Sequence, residues 1–477
     1  MLRRINVALW RIDPVGSGVG AFVNSNKILN TFDLEGVALR LSNPPAPSYY
    51  AASVLAAAGG TGNTAARPQL QGELRADVVV IGGGIAGVSA ALHLAKRGYQ
   101  VTLLEARFVG YGASGRSGGQ TIFGLAASQK ALTAQVGRED AHRLFDLSIE
   151  ALDSTRTLID RYAIACDYQP NHVHVATKPR QVRELQEWRD ELHDDYDYRT
   201  AQLLNRDELQ AHVRSERYLA GLIDSRSGHL NPLKYTQGLA RAAEQEGVRI
   251  FENTPVLKYQ NGDHQSGNEI TVYSAQGQVR CGHLILCGNA YLNGVAPRLA
   301  RRILSVGTYI VATEPLDPAR ARALLPSNAA VADINWILDY FRLTADSRLL
   351  FGGRVSYSAL QPPHLAESMR KRLARVFPDL ARANIDYAWG GYIDITLSRA
   401  PDFGRLAPNV FYLQGFSGHG MALAGFGGKL IAEAVSGTAE RFDVFARIPH
   451  RNFPGGPFLR RPSLVLAMLY YRLRDLL

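Results

Sequence analysis

Cysteine is scarce. The 477 residues hold three, Cys166, Cys281 and Cys287, with no CxxC spacing among them, which argues against a disulfide framework or a zinc cluster and fits a reducing, cytoplasmic setting. Long apolar runs are missing too: nothing approaches the roughly 18 uninterrupted apolar residues of a membrane-spanning helix. There is no Lys/Arg-rich block interleaved with aromatics, although basic residues outnumber acidic ones by 53 to 43. The formal charge of +10 therefore reads as general surface charge, and a nucleic-acid partner is not expected. Internal repeats and low-complexity tracts are absent, as is any Ser/His/Asp set or carboxylate pair that would argue for hydrolysis. Residues 1–10 place Arg3 and Arg4 before a short apolar stretch, but Asn6 breaks it and Asp13 soon ends it, so it is too short for a secretory core. Residues 1–75 read as an extension and linker.

Glycine is plentiful, at 45 residues, and its clustering is informative. Residues 77–81 (DVVVI) have the β-branched character of a buried parallel strand. They run into GGGIAG at 82–87 and then a helix whose Val88, Leu92 and Ala95 share one face. A second strand, 99–104, ends in Glu105, with Ala106 after it. In this setting Gly82 permits a tight turn, Gly84 lets a pyrophosphate approach the backbone, and Gly87 lets helix and strand pack closely. Ile85 and Ala86 open the helix, whose free N–H groups favour phosphate. Glu105 is suited to a ribose 2′-hydroxyl and disfavours a 2′-phosphate. The motif predicts a dinucleotide.

Which dinucleotide depends on the next segment, GYGASGRSGGQ at 110–120. Eight of these eleven residues are Gly, Ala or Ser. A nicotinamide-binding fold would pass directly into its next helix, whereas a loop this small can wrap a large planar group; a mobile surface loop is the alternative. Gly112, Ala113, Ser114, Gly115, Arg116, Ser117, Gly118, Gly119 and Gln120 are accordingly expected around FAD. Near the other end, a strand at 410–413 runs into GFSGHG at 415–420 and a helix at 421–436. Gly415, Gly418, His419, Gly420 and Met421 would there set backbone N–H groups against the flavin pyrimidine edge. His419 either touches the flavin or orients the loop.

Between these motifs the pattern predicts helices at 139–161, 180–192 and 232–247, weakly also at 200–217, and strands at 248–252, 269–274 and 279–287. From 304 to 353 shorter strands carry Tyr309, Tyr340 and Phe341, as a substrate-domain sheet would.

The motifs, with SYYAA at 48–52, SGHLNPL at 227–233, CGNAYL at 287–292, LDYFRLTADSRLLFGG at 338–353, DITLSRAPDFGRL at 394–406 and NFPGG at 452–456, resemble the D-amino-acid-oxidase-like superfamily of FAD-dependent oxidoreductases. Within it they are most similar to bacterial gamma-glutamylputrescine oxidases, from about residue 47 onward. The resemblance implies an α/β fold: a Rossmann-like doubly wound FAD domain (76–145, 217–297 and 393–440) interrupted by an α+β substrate domain with a mixed or antiparallel sheet (146–216 and 298–392), then a tail at 441–477. It implies FAD, with Val256 meeting the adenine through its backbone and with Gly288, Asn289, Ala290 and Gly391 among its contacts; no cysteine sits where covalent attachment would be expected, so the flavin is expected to be noncovalent. The implied reaction takes a hydride from the carbon next to an amine nitrogen, with molecular oxygen as acceptor.

Some positions depart from the superfamily. The oxygen-activating lysine that sarcosine oxidases carry soon after the GHG loop is replaced by Met421, Ala422 and Leu423, and Lys429 lies further on. Thr396 and Ser398 stand before Pro401 where relatives carry a Thr-x-Asp pattern. For the substrate, Arg342 or Arg354 could pair with a carboxylate and Tyr309, Tyr340 and Trp389 could wall an aliphatic chain; salt bridges and core packing are the competing readings. The apolar stretch 464–471 would dock on the body or on a second subunit, or lie at a membrane surface. A flavin dehydrogenase for another amine, amino acid or imino acid, and a flavin-binding subunit without turnover, are the rival functions.

Overall fold

The computed structural model describes residues 47–57, 67–262, 269–292, 294–356 and 364–454. The expectations for residues 1–46 and for the tail helix beyond 454 lie outside the described residues. Two sheets organise the chain. The first has five parallel strands in the order Val410–Gln414, Gly277–Leu286, Gly72–Ile81, Val101–Leu104 and Arg249–Phe251, with Asp402–Ala407 antiparallel at one edge. Its first strand begins at Gly72, earlier than the β-branched run, because residues 72–76 continue the pairing with 277–281.

Alternation along this strand sorts its side chains to two layers. Val78 and Val80 pack with the helices Ile85–Ala95, Pro232–Gln245 and Leu423–Val435, whereas Val79 and Ile81 pack with the antiparallel strands Val256–Asn261 and Ile270–Ser274. Glycine lets the helices meet. A Cβ on Gly428 would lie 2.5 Å from the Ala90 nitrogen and 2.7 Å from the Ala86 oxygen, and the Ser89 hydroxyl donates to the Gly425 carbonyl.

The second sheet has nine strands. Its main path runs Ile385–Ile395, Leu304–Thr313, Leu349–Ser356, Tyr340–Leu343, Ala330–Asp333, Gln169–Ala176, Ala220–His229 and Gln120–Thr121, with Ala201–Leu204 also on Ala220–His229. All its pairings are antiparallel except Ala330–Asp333 with Gln169–Ala176. The architecture is thus α/β with a mixed second sheet.

Two predicted elements differ. Residues 200–217 are not one helix: Ala201–Leu204 pairs with 221–224, and a capping box of Asn205 and Glu208 starts the short helix Arg206–Leu209. Pairing with a neighbouring strand outweighs weak local helical preference here. The helix expected from 139 starts at Gln129 and spans Gly137, whose φ of 82° interrupts its regular geometry.

Candidate cofactor site and its surroundings

The first strand ends at Ile81, and Gly82 turns the chain at φ +110°, where a side chain would be strained and its Cβ would lie 2.7 Å from the Cys287 oxygen. Gly84 precedes the helix Ile85–Ala95 without a side-chain cap of its own. The Ser114 hydroxyl from the second loop takes that role, accepting the Ile85 N–H at 3.0 Å. A Cβ on Gly84 would stand 2.9 Å from that oxygen, so loop and helix start approach backbone to side chain. Glu105, at the end of the neighbouring strand, accepts the N–H groups of Gly83 at 2.7 Å and Arg107 at 2.8 Å. Burial pushes its carboxyl up, partly offset by these backbone donors.

Together these elements enclose a cavity with about 1340 Å³ of empty space, its open mouth included. Of the predicted residues, its wall carries Gly82, Gly84, Ile85, Ala86, Glu105, Ala106, Gly112, Ala113, Ser114, Ser117, Val256, Gly288, Asn289, Gly418, Gly420 and Met421. It also carries residues that the sequence did not single out: Tyr111, Thr254, Tyr291, Leu292, Tyr392, Asp394 and Phe416. Tyr111, Tyr291 and Tyr392 meet edge to face with centroids 6.0 and 6.3 Å apart. They flank the glycine-rich stretches directly, and Tyr291 also lies in the CGNAYL stretch; these were the sequence signals for them.

The sequence profile described as FAD dependent oxidoreductase, DAO, matches residues 77–434. The chain belongs to that family. Gamma-glutamylputrescine oxidoreductase of Escherichia coli (strain K12) is 40% identical over 429 residues, covering 90% of this chain and 98% of its own length. A probable oxidoreductase, OrdL, of Haemophilus influenzae is 40% identical over 405 residues, covering 84% and 92%. Among solved structures, glycine oxidase from Geobacillus kaustophilus superposes with a TM-score of 0.64 at 20% identity, over 76% of this chain and 95% of that one. L-proline dehydrogenase from P. horikoshii superposes at 0.61 and 22% identity, over 77% and 94%. These two likenesses are of fold.

As a member of this family the chain is an FAD-dependent oxidoreductase, and the cavity suits that cofactor. Its glycine turn leaves no side chain where a pyrophosphate would meet the backbone, a helix starts beside it, and an acid stands at the end of the neighbouring strand. The remaining predicted residues lie off the wall. Gly87 faces the Gly82 carbonyl, allowing close helix–strand packing, and Gly115 packs against Gly110 and Leu233. Arg116 donates to the Gly390 carbonyl at 2.6 Å and lies beside Gly391, whose Cβ would sit 3.4 Å from the Arg116 Cβ. Gly118 lies under the Tyr340 ring, Gly119 against the Leu230 carbonyl, and Gly415 against Thr396. Ala290 is buried in a single turn after Asn289, and Gln120 reaches Val331 and His172.

His419 Nε2 lies 3.0 Å from the carbonyls of both Ile122 and Phe123. Two acceptors fix the proton on Nε2, and burial holds the ring neutral against the pull of those carbonyls. This geometry ties the GHG loop to the two residues that follow the strand Gln120–Thr121.

The expected substrate side chains are placed differently. Arg342 is 3% exposed and donates to Gly118 O at 2.8 Å, Leu343 O at 3.1 Å, Leu230 O at 3.0 Å and the Tyr50 hydroxyl at 3.1 Å. A substrate carboxylate would have to break those bonds. Trp389 is fully buried against Tyr50 and donates to the Arg116 carbonyl. Tyr309 is 5% exposed, within the core cluster that also holds Val311 and Phe341. None of the three is on the cavity wall. Arg354 pairs with Tyr309 across neighbouring strands, while its side chain lies outside the described atoms. Lys429 is bound to Glu150 at 2.8 Å. Among the described residues no helix is long and apolar enough to cross a membrane.

Proposed function

We propose that the chain oxidises gamma-glutamylputrescine at the carbon next to its primary amine, yielding gamma-glutamyl-aminobutyraldehyde and ammonia after the imine hydrolyses. The observation that carries this reading is the 40% identity to the Escherichia coli gamma-glutamylputrescine oxidoreductase across 98% of that protein's length. Bound FAD supplies the acceptor for the hydride. The chain's own part is to hold a neutral amine in place and keep water out.

In this reading the turn at Gly82 and Gly84 receives the pyrophosphate, Glu105 the adenosine ribose, and the Val256 backbone the adenine. Ser114 and Ser117 shape the middle of the cavity, and the loop from Gly418 to Met421 meets the flavin. His419 holds that loop rather than reacting. Molecular oxygen takes the electrons and leaves as hydrogen peroxide. Three free, buried cysteines suit a cytoplasmic setting. A dehydrogenase passing electrons to another acceptor is the second reading, favoured by one observation: Lys429 is engaged with Glu150 and so is not poised to activate oxygen.

The test is the visible spectrum of the purified protein under anaerobic conditions, before and after gamma-glutamylputrescine, with putrescine and L-pipecolate as comparisons. Bleaching by the glutamylated amine alone is expected, followed by recovery and peroxide release when air is admitted. Bleaching without recovery in air would select the dehydrogenase. A flavin spectrum that no amine bleaches would leave a flavin-binding protein without turnover.

A further inference from the structure

Methionine is rare in this chain, with four among 477 residues, and one of the four stands at the cofactor cavity. Met421 directly follows the GHG loop and lies on the cavity wall, 7% exposed. Its thioether is held from the other glycine-rich loop. The Ser117 hydroxyl, also on the wall, donates to Met421 Sδ at 3.2 Å. Ser117 is in turn fixed on both sides of its backbone, its N–H donating to the Ala113 carbonyl at 3.1 Å and its carbonyl accepting the Tyr50 hydroxyl at 2.8 Å. Sulfur and hydroxyl are thus set beside each other in the wall.

Among the described residues one other sulfur lies on that wall, the Cys287 thiol. A thiol reacts with peroxide as its thiolate, and burial pushes this one up to about 12, so at neutral pH it stays protonated. A thioether has no proton to lose, and its lone pairs react as they stand. Met369 gives a comparison inside the same chain: it is fully buried in a core cluster with Phe341 and Phe351 of the second sheet and is not on the cavity wall. Met1 and Met468 lie outside the described residues.

We propose that Met421 is a modification site, oxidised to the sulfoxide by hydrogen peroxide in the cofactor cavity, and that this oxidation restrains the enzyme. This rests on the oxidase reading, which supplies the peroxide. A sulfur lone pair attacks one peroxide oxygen, the O–O bond breaks and an S–O bond forms. The proton of the transferred hydroxyl passes to the departing hydroxide, which leaves as water; the thioether loses two electrons and the peroxide gains them. Negative charge gathers on the transferred oxygen as the new bond forms, and the Ser117 hydroxyl is the donor placed to meet it. The product sets a polar S–O group into the wall where an apolar side chain stood. Peroxide made in the cavity would in this way limit its own production.

The test treats the holoenzyme with hydrogen peroxide in the absence of substrate, and peptide mass spectrometry follows the added oxygen at each methionine. Met421 is expected to gain it at least about tenfold faster than Met369, with activity toward gamma-glutamylputrescine falling in step. Met421→Leu keeps the volume without the sulfur and, measured against its own untreated state, should hold its activity at least about fivefold longer than native. Ser117→Ala should slow oxidation of Met421 by about threefold or more, as one hydrogen bond to the developing charge is lost. Met421 gaining oxygen no faster than Met369, or Met421→Leu losing activity as fast as native, would overturn the proposal. Oxidation of Ser117→Ala at the native rate would overturn the part given to its hydroxyl. The mass measurement on the native protein needs no variant, so it decides the site even where a substitution loses FAD. Peroxide release with gamma-glutamylputrescine in air tests the oxidase reading separately: if none is released while added peroxide still marks Met421, that reading fails and the modification site stands.

Discussion

Arg342 is a buried cation whose four hydrogen-bond acceptors are all neutral: three carbonyls and a phenol. The phenol, Tyr50, in turn donates to the Ser117 carbonyl at 2.8 Å, so one guanidinium and one tyrosine hold two carbonyls of the 110–120 loop. The sequence displayed the charge but not the acceptors, three of which lie more than a hundred residues from Arg342 in the chain, and this is why a carboxylate partner was the natural expectation. The glycines at 82, 84 and 87 were legible because a turn and close packing restrict the residue type itself. Arg342→Lys retains the charge but loses the planar five-donor fork. It is expected to weaken FAD binding by about tenfold or more, as two or three hydrogen bonds to carbonyls are lost; titration of the apoprotein by flavin fluorescence measures this. Tyr50→Phe removes one contact on each side and should have a smaller effect. Unchanged FAD affinity in both variants would mean that the loop holds its shape without this clasp.

Helix Leu423–Val435 was legible as an element but its packing partner was not. Hydrophobic pattern reveals a buried face without saying what buries it. The structure sets this helix against Ile85–Ala95, and its three glycines differ in what a methyl group would meet. At Gly428 the obstacle is backbone, 2.5 Å from the Ala90 nitrogen, whereas at Gly425 it is the Ile85 side chain at 3.4 Å. Gly428→Ala should therefore force the two helices apart and destabilise the protein by about 1–3 kcal/mol. Gly425→Ala needs only a small side-chain adjustment, and improved helix propensity of up to about 1 kcal/mol offsets it. Thermal melts of the two holoenzyme variants check the contrast: a clear loss at 428 and little change at 425. Equal melting temperatures would refute the backbone contact as the determinant. Residues 200–217 failed at this same scale, since the pairing that makes 201–204 a strand is supplied by 221–224.

Across the whole molecule the two-sheet plan could be anticipated from motif order and resemblance, but the set of titratable groups enclosed by the sheets could not. His93 and His229 are lowered to about 3 and His174 to about 4, chiefly by burial, and His172 is lowered as well. A histidine neutral in the fold protonates near pH 6.5 once unfolded, so its contribution is fully present above that pH. It is lost as pH falls toward the folded value, at up to about 1.4 kcal/mol per pH unit per group. Asp333 runs the other way. Burial and the nearby Asp339 raise its carboxyl to about 7, so the folded state prefers the protonated acid and stability is lost as pH rises from about 4 through 7. The lowered histidines, His419 among them, outnumber the raised carboxyls such as Asp333 and Glu105, which leaves a net loss toward acid, and the melting temperature should fall steadily below about pH 6.5. Asp333→Asn separates the opposing contribution. At pH 5 the native carboxyl is already neutral in the fold, so the amide should change little. At pH 8 the native protein bears a buried charge that the amide removes, and the variant should gain up to about 4 kcal/mol, an order-of-magnitude figure from the size of the shift. Melts of both proteins at pH 5 and pH 8 decide it: a gain confined to pH 8 is expected. An equal effect at both pH values would mean that Asp333 titrates normally and that the acid limb belongs to the histidines alone.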